Sequence, residues 1–314
     1  MRVLACPASL KGSLGAIDAA AALAAGLRRV AGVEVEELPV ADGGDGTLEV
    51  LAWARPCAWH EEHVHDAFGR PRRARWLELD DGRAVVESAE AIPLDPSRLD
   101  PLAASSRGLG ELLAVVGSTR PRELVVGLGG TATVDGGSGL REVVSELPVP
   151  TRAACDVRSP LVDAARVYAP QKGASPEVAA RLEARLRALP ELAPFASLPG
   201  SGAAGGLGAA FAALGAELVP GAAFVLDEIG FAPGGFDLVV TGEGTVDGTT
   251  PEGKAAGEVA RRCRAAGVRC AVFGGRVVEP LHGAETYELS GDPARAADDL
   301  RVLGEALGRQ VAAA

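Results

Sequence analysis

The chain has 314 residues, 47% of them hydrophobic and 23% charged, with a formal net charge of −11. This length predicts two domains with sizeable cores and excludes a small disulfide-stapled module, while the acidity argues against nucleic acid and anionic membrane surfaces as partners. Five cysteines, Cys6, Cys57, Cys155, Cys263 and Cys270, form no CxxC pair and predict free thiols in a reducing compartment, the cytoplasm by default.

From the N-terminus, a β-type run at residues 3–5 precedes a turn over 7–13 and an Ala/Leu-rich helix to about residue 30. The apolar run is cut at Pro7 and Lys11, and the helix carries Asp18 and ends at Arg28 and Arg29, so neither reads as a signal peptide or a membrane span. A second strand at 33–40 leads into ADGGDGT and a helix through residue 51. Residues 60–65, 73–79 and 83–87 read as adjacent short strands of antiparallel character, the last two joined at Asp81-Gly82. Strand-to-turn grammar resumes at 124–128, which leads into GGTATVDGGSG, and an amphipathic helix follows at 176–189. The strand at 237–240 leads into TGEGTVDGTTPEGK and a helix to about residue 263. A last strand at 269–273 ends in Gly274-Gly275, and a further amphipathic helix covers 293–307.

Pro- and Gly-rich breaks at 91–101, 189–202 and 233–235 divide this pattern. The expected fold class is α/β: a Rossmann-like parallel-sheet domain formed by residues 1–74 plus 235–314, interrupted by an inserted α/β domain with a mixed sheet at 75–234. Turns at the carboxyl edge of parallel strands can line one cleft.

A Gly-rich turn that opens a helix exposes backbone N–H groups and the positive end of the helix dipole, a seat for phosphate or carboxylate. CPASLKGS adds Ser9, Lys11 and Ser13; ADGGDGT adds Asp42, Asp45 and Thr47; GGTATVDGG adds Thr131, Thr133 and Asp135; TGEGTVDGTTPEGK adds Glu243, Asp247 and Lys254. Anion donors alternating with carboxylates suit nucleotide phosphates with magnesium, although Gly and Asp also make tight turns for purely local reasons. Among 31 basic residues only Lys11, Lys172 and Lys254 are lysines, each beside a glycine. A compact ammonium suits phosphate in a narrow glycine-lined space.

Other patterns read as structural. GTTPEGKA has Ala255 where a P-loop needs Ser or Thr, and GSGAAG at 200–205 fits GxGxxG without a clear preceding strand. His60, His63 and His65 alternate along a polar strand, as on a solvated face, rather than spacing like zinc ligands. There is no GxSxG elbow, and Cys6 reads as a packed thiol.

With AVVESAE, SSRGLGELL, ACDVRSPL, YAPQKGA, GSGAAGGLGAAF and VFGGRV, these segments follow the order of the motifs of the type I glycerate kinases, which the chain resembles from residue 2 to about 276. The resemblance implies a flavodoxin-like domain from both chain ends, a distinct inserted α/β domain and an active site in the cleft between them. It also implies phosphorylation of D-glycerate by ATP with magnesium, to 2-phosphoglycerate in preference to 3-phosphoglycerate. Carried over by position, it implies catalytic roles for Lys11, at the transferring phosphoryl or the substrate carboxylate, and for Asp42 or Asp135, orienting and deprotonating the hydroxyl. Ser9, Gly12, Ser13, Gly43, Gly44 and Lys172 are expected at the substrate. Gly129, Gly130, Thr131, Gly136, Gly137, Gly253 and Lys254 are expected at the nucleotide, and Asp156, Glu243 and Asp247 at magnesium, directly or through water. Glycerate and ATP are thus the expected partners, with a homodimer as the assembly considered.

The chain departs from the family pattern at Ala8, Val134, Arg158, Ser159, Thr245 and Thr249, where the family usually has Asp, Asn, Asp, Asn, Arg and Gln. Loss of a carboxylate at 8 and a guanidinium at 245 motivates an alternative, a non-catalytic sensor of glycerate or nucleotide on the kinase fold.

Overall fold

A computed structural model describes residues 1–313. The chain begins with β1 (Arg2–Ala5), α1 (Ala16–Leu27), β2 (Glu34–Glu37), α2 (Thr47–Ala54), β3 (Cys57–His65), β4 (Pro71–Leu79) and β5 (Ala84–Glu87). It continues with α3 (Ser88–Ala91), α4 (Arg107–Ser118), β6 (Leu124–Leu128), α5 (Ser138–Arg141), β7 (Thr151–Cys155), α6 (Leu161–Arg166) and α7 (Pro176–Arg187). It closes with α8 (Ala203–Ala213), β8 (Glu217–Pro220), α9 (Gly221–Glu228), β9 (Leu238–Val246), α10 (Ala255–Ala266), β10 (Arg269–Val277), β11 (Glu285–Glu288) and α11 (Ala296–Ala312).

These elements form two units. The first takes Met1–Asp42, Glu49–Ala54 and the chain from Ala222 onward; the second takes Gly43–Leu48 and Arg55–Gly221. In the first, five parallel strands lie in the order β11-β10-β9-β1-β2. Because residues alternate across a strand, Val3, Ala5, Val240 and Phe273 enter a core with α1 and α11. Leu4, Val239 and Val272 enter another with α10. A methyl on Gly26 would lie 2.0 Å from the Arg301 carbonyl, and one on Gly304 2.3 Å from that of Leu23, so paired glycines let α1 and α11 cross backbone to backbone. Strand order reverses between β1 and β9, the position at which doubly wound sheets open a crevice.

The second unit holds the mixed sheet β3-β4-β5-β6-β7-β8, antiparallel up to β5 and parallel beyond it. Trp76, Val86, Val126, Leu109, Leu113 and Phe211 share its main core.

Three expectations are corrected. A boundary at 74/75 falls inside β4, and β3 and β4 pair along their whole length from Cys57↔Leu79 to His65↔Pro71, so the long segment of the second unit starts at Arg55. At the other end, Leu226 and Phe231 pack with Val239 and Val259 in the first unit, so residues 222–234 belong there. TGEGTV and Gly274-Gly275 are strand, not turn: β9 and β10 pair through Val246↔Val277. Their glycines allow close strand contact, since a methyl on Gly242 would meet the Phe273 carbonyl at 2.4 Å. No helix among the described residues is long and apolar enough to cross a membrane.

Candidate functional site

Within the first unit, the carboxyl end of β9 carries a charged cluster. Lys254 Nζ lies 3.3 Å from Glu243 Oε2 and 3.4 Å from Asp247 Oδ1, and donates to the Thr245 carbonyl at 3.3 Å. Thr250 Oγ1 donates to Glu243 Oε1 at 2.7 Å and accepts from the Asp247 amide at 3.0 Å, which fixes the loop that returns to α10. Burial pushes the Glu243 carboxyl up; Lys254 and Thr250 oppose the rise, and the charge of Asp42 adds to it. Burial pushes Asp247 in the same direction, but the Thr249 hydroxyl and amide and the Lys254 ammonium outweigh it and hold that carboxyl low. Gly253 ends the intervening turn at φ 137°.

The loop after β1 lies at the same sheet edge. Lys11 and Gly12 are exposed and Ser9 is half-buried. Ser13 Oγ donates to the Pro293 carbonyl at 2.9 Å, so this hydroxyl stitches the loop to the start of α11 instead of facing a ligand.

The second unit gathers Gly43, Gly44, Gly129, Gly130, Thr131, Asp135, Asp156 and Lys172. Lys172 is buried and donates to the Thr133 carbonyl at 2.8 Å and to Thr131 Oγ1 at 3.4 Å. Burial lowers its pKa to about 8, against the pull of Asp156 and Asp135. A methyl on Gly129 would fall 2.6 Å from Asp156 Oδ2 and 2.9 Å from the Gly44 Cα. The bare glycine therefore lets the second loop, the end of β6 and the Asp156 carboxylate share one place.

Several expected roles change. Asp135 is fully buried, with Oδ2 accepting from Ser106 N, Ser106 Oγ and Gly139 N and Oδ1 from Gly137 N; it clamps its loop and has no face for an attacking hydroxyl. Gly136 and Gly137 are buried, packed against Leu186, Leu189, Leu192 and Ala210. Lys172 likewise holds the Thr131–Thr133 backbone and reaches no surface. Lys254 is already neutralised by two carboxylates. Glu243 and Asp247 both engage Lys254, and among the described residues no three His, Cys, Asp or Glu side chains are arranged to hold a metal ion. His60 stacks on Trp76 and is bonded to Glu78, and His65 is bonded to Glu111.

Glu87 and Ser88 lie in the AVVESAE motif, which carried no assigned role. Glu87, buried at the end of β5, accepts from the Leu48 amide at 2.6 Å and from the Gly46 amide at 3.4 Å, fixing the ADGGDGT loop. Ser88 Oγ donates to the Gly129 carbonyl at 3.1 Å. The available signal is a carboxylate closing an otherwise apolar strand, which needs a partner once buried.

The chain matches the profile of the glycerate kinase family over residues 3–145 and 141–291. It is 33% identical over 305 residues to a glycerate kinase of Bacillus subtilis (strain 168), covering 81% of this chain and 79% of that protein. It is also 33% identical over 303 residues to a glycerate 2-kinase of Escherichia coli (strain K12), covering 81% and 80%. A crystal structure from Salmonella typhimurium LT2, assigned as glycerate kinase 2, superposes with a TM-score of 0.80 at 28% identity, over 100% of this chain and 98% of that one.

Proposed function

Because the chain belongs to the glycerate kinase family, we propose that it transfers the γ-phosphoryl of ATP to the 2-hydroxyl of D-glycerate, giving 2-phosphoglycerate and ADP. The hydroxyl oxygen bonds to the γ-phosphorus as the bridge to the β-phosphate breaks, ADP leaves with the electron pair, and the hydroxyl proton passes to a carboxylate. Such a reaction asks the protein for alignment and charge neutralisation rather than covalent chemistry.

The observation that carries this reading is the Glu243–Lys254–Asp247 cluster at the carboxyl end of β9. Asp42 is the carboxylate we assign to the hydroxyl proton. Its charge is felt by Glu243, whose own negative charge Lys254 offsets at 3.3 Å. Lys11 serves the transferring phosphoryl. In the second unit, Glu87, Lys172 and Asp135 hold the glycine-rich loops in place. Magnesium enters as part of the nucleotide substrate, most of its ligands coming from phosphate and water. Five free cysteines support a cytoplasmic location.

The test is turnover of purified protein with D-glycerate, ATP and magnesium, following ADP release, with phosphorus NMR separating 2- from 3-phosphoglycerate. Ligand binding without turnover would favour the sensor alternative and overturn the kinase reading.

A further inference from the structure

A cavity of about 340 Å³ opens within the second unit at the carboxyl ends of β7 and β8, inside the roughly 300–1,000 Å³ of small-ligand sites. Cys155 lines it from the end of β7, Phe195 and Leu198 from the segment ahead of α8, and Leu218 and Val219 from β8. Arg158 is the one charged side chain in the lining. It is exposed, and among the described residues its guanidinium makes no hydrogen bond or ion pair. Burial, with the charge of Asp156 adding to it, pushes the Cys155 thiol up to about 12, so this group stays neutral and faces the Ala153 and Gly200 carbonyls.

Apolar walls with one open guanidinium define the ligand they would take. An aryl or branched alkyl body gains by leaving water against Phe195, Leu198 and Leu218, and a carboxylate matches the paired donors of Arg158. A phosphomonoester would bring a charge of about −2 to a wall that holds a single cation. The cavity also abuts the segment that carries Asp156. A methyl on Gly200 would lie 2.9 Å from Cys155 Sγ, and the Gly202 amide donates to the Ser159 carbonyl at 3.0 Å, so residues 155–159 are braced on 200–202.

We propose that this cavity is a binding site for an apolar monocarboxylate, with Arg158 on the carboxylate and Phe195, Leu198 and Leu218 around the body. Such a ligand is larger and less polar than glycerate, so the site serves an effector and not the substrate of the phosphoryl-transfer reading. Its occupant rests on the loop of Asp156 and stiffens it.

The probes are 3-phenylpropanoate and its uncharged analogue 3-phenylpropanamide, titrated against the full chain by ligand-observed NMR, which requires no turnover. The acid is expected to bind about fivefold more tightly than the carboxamide, and to slow hydrogen exchange at residues 155–160 and 198–202. Arg158→Ala should bring the acid to the level of the carboxamide, with the carboxamide's affinity and the melting midpoint unchanged, and Arg158→Lys should recover part of the difference. Equal binding of the two probes, a wild-type response in Arg158→Ala, or no binding of either would overturn the proposal. Displacement of the acid by D-glycerate or by ATP would also overturn it, by assigning the cavity to the substrates.

Discussion

Replacing Asp135 by Asn keeps the shape of the side chain and removes its charge. In the folded chain Oδ2 accepts from Ser106 N and Oγ at 2.8 Å each and from Gly139 N at 3.2 Å, while Oδ1 accepts from Gly137 N at 3.1 Å. An amide can keep its oxygen toward the three donors only by turning its NH2 toward the Gly137 N–H. Three bonds then fall from the ionic to the neutral range, about 1 kcal/mol each, and one buried donor is stranded at about 1–3 kcal/mol. These contributions share one loop and are not independent, so a net loss of about 4 kcal/mol is the working figure. At about 2–4 °C per kcal/mol for a unit of this size, the melting midpoint should drop by about 8–16 °C. Scanning calorimetry measures this, and a pH–rate profile of the residual activity completes the experiment. A clamp lowers turnover through loop disorder and leaves the acidic limb in place. A variant that melts with the wild type yet loses its turnover together with that limb would refute this reasoning and return Asp135 to proton transfer.

Other substitutions probe neighbouring groups. Lys172 titrates at about 8 when folded against 10.5 as an ordinary lysine, so between these values the unfolded chain holds the extra proton. Stability should therefore rise with pH across that window, by about 3 kcal/mol in all, and urea unfolding of Lys172→Met should show this rise flattened. Gly129→Ala drives a methyl toward Asp156 Oδ2 and the Gly44 Cα; a cost of about 1–3 kcal/mol and reduced turnover are expected, and normal activity at normal stability would contradict the close approach. Lys254→Met removes the ammonium that opposes the upward shift of Glu243. The acidic limb of the pH–rate profile should then move to higher pH, and an unmoved limb would detach this cluster from the chemistry.

Much of the architecture was legible because apolar runs meet Gly- and Asp-rich turns at nearly every parallel strand. β6 occupies the expected residues 124–128, and the antiparallel character ahead of β5 follows from the Asp81-Gly82 turn. The reading failed where glycine serves a different physical end. In β9 and β10 it permits close strand contact, and at Gly136 and Gly137 it makes room for leucines and an alanine; a linear sequence shows the same letter in a turn, a strand and a packed loop. Burial was the second blind spot. Asp135, Lys172 and Glu87 look like available charges until the fold surrounds them with amides, hydroxyls and carbonyls.

The second unit is not a single stretch of chain: Gly43–Leu48 belongs to it, whereas Glu49–Ala54 does not. A fragment cut at 55 and 221 would contain all six of its strands and still lack the amides of Gly46 and Leu48 that Glu87 accepts from. The insertion is therefore not a portable module. Excision would take two amide donors from a buried carboxylate, and a chimera or circular permutant needs the hexapeptide at 43–48 grafted back on. Recombination that respects only the ends of the long segment is expected to yield insoluble chains, whereas exchange that also carries the short one preserves the fold.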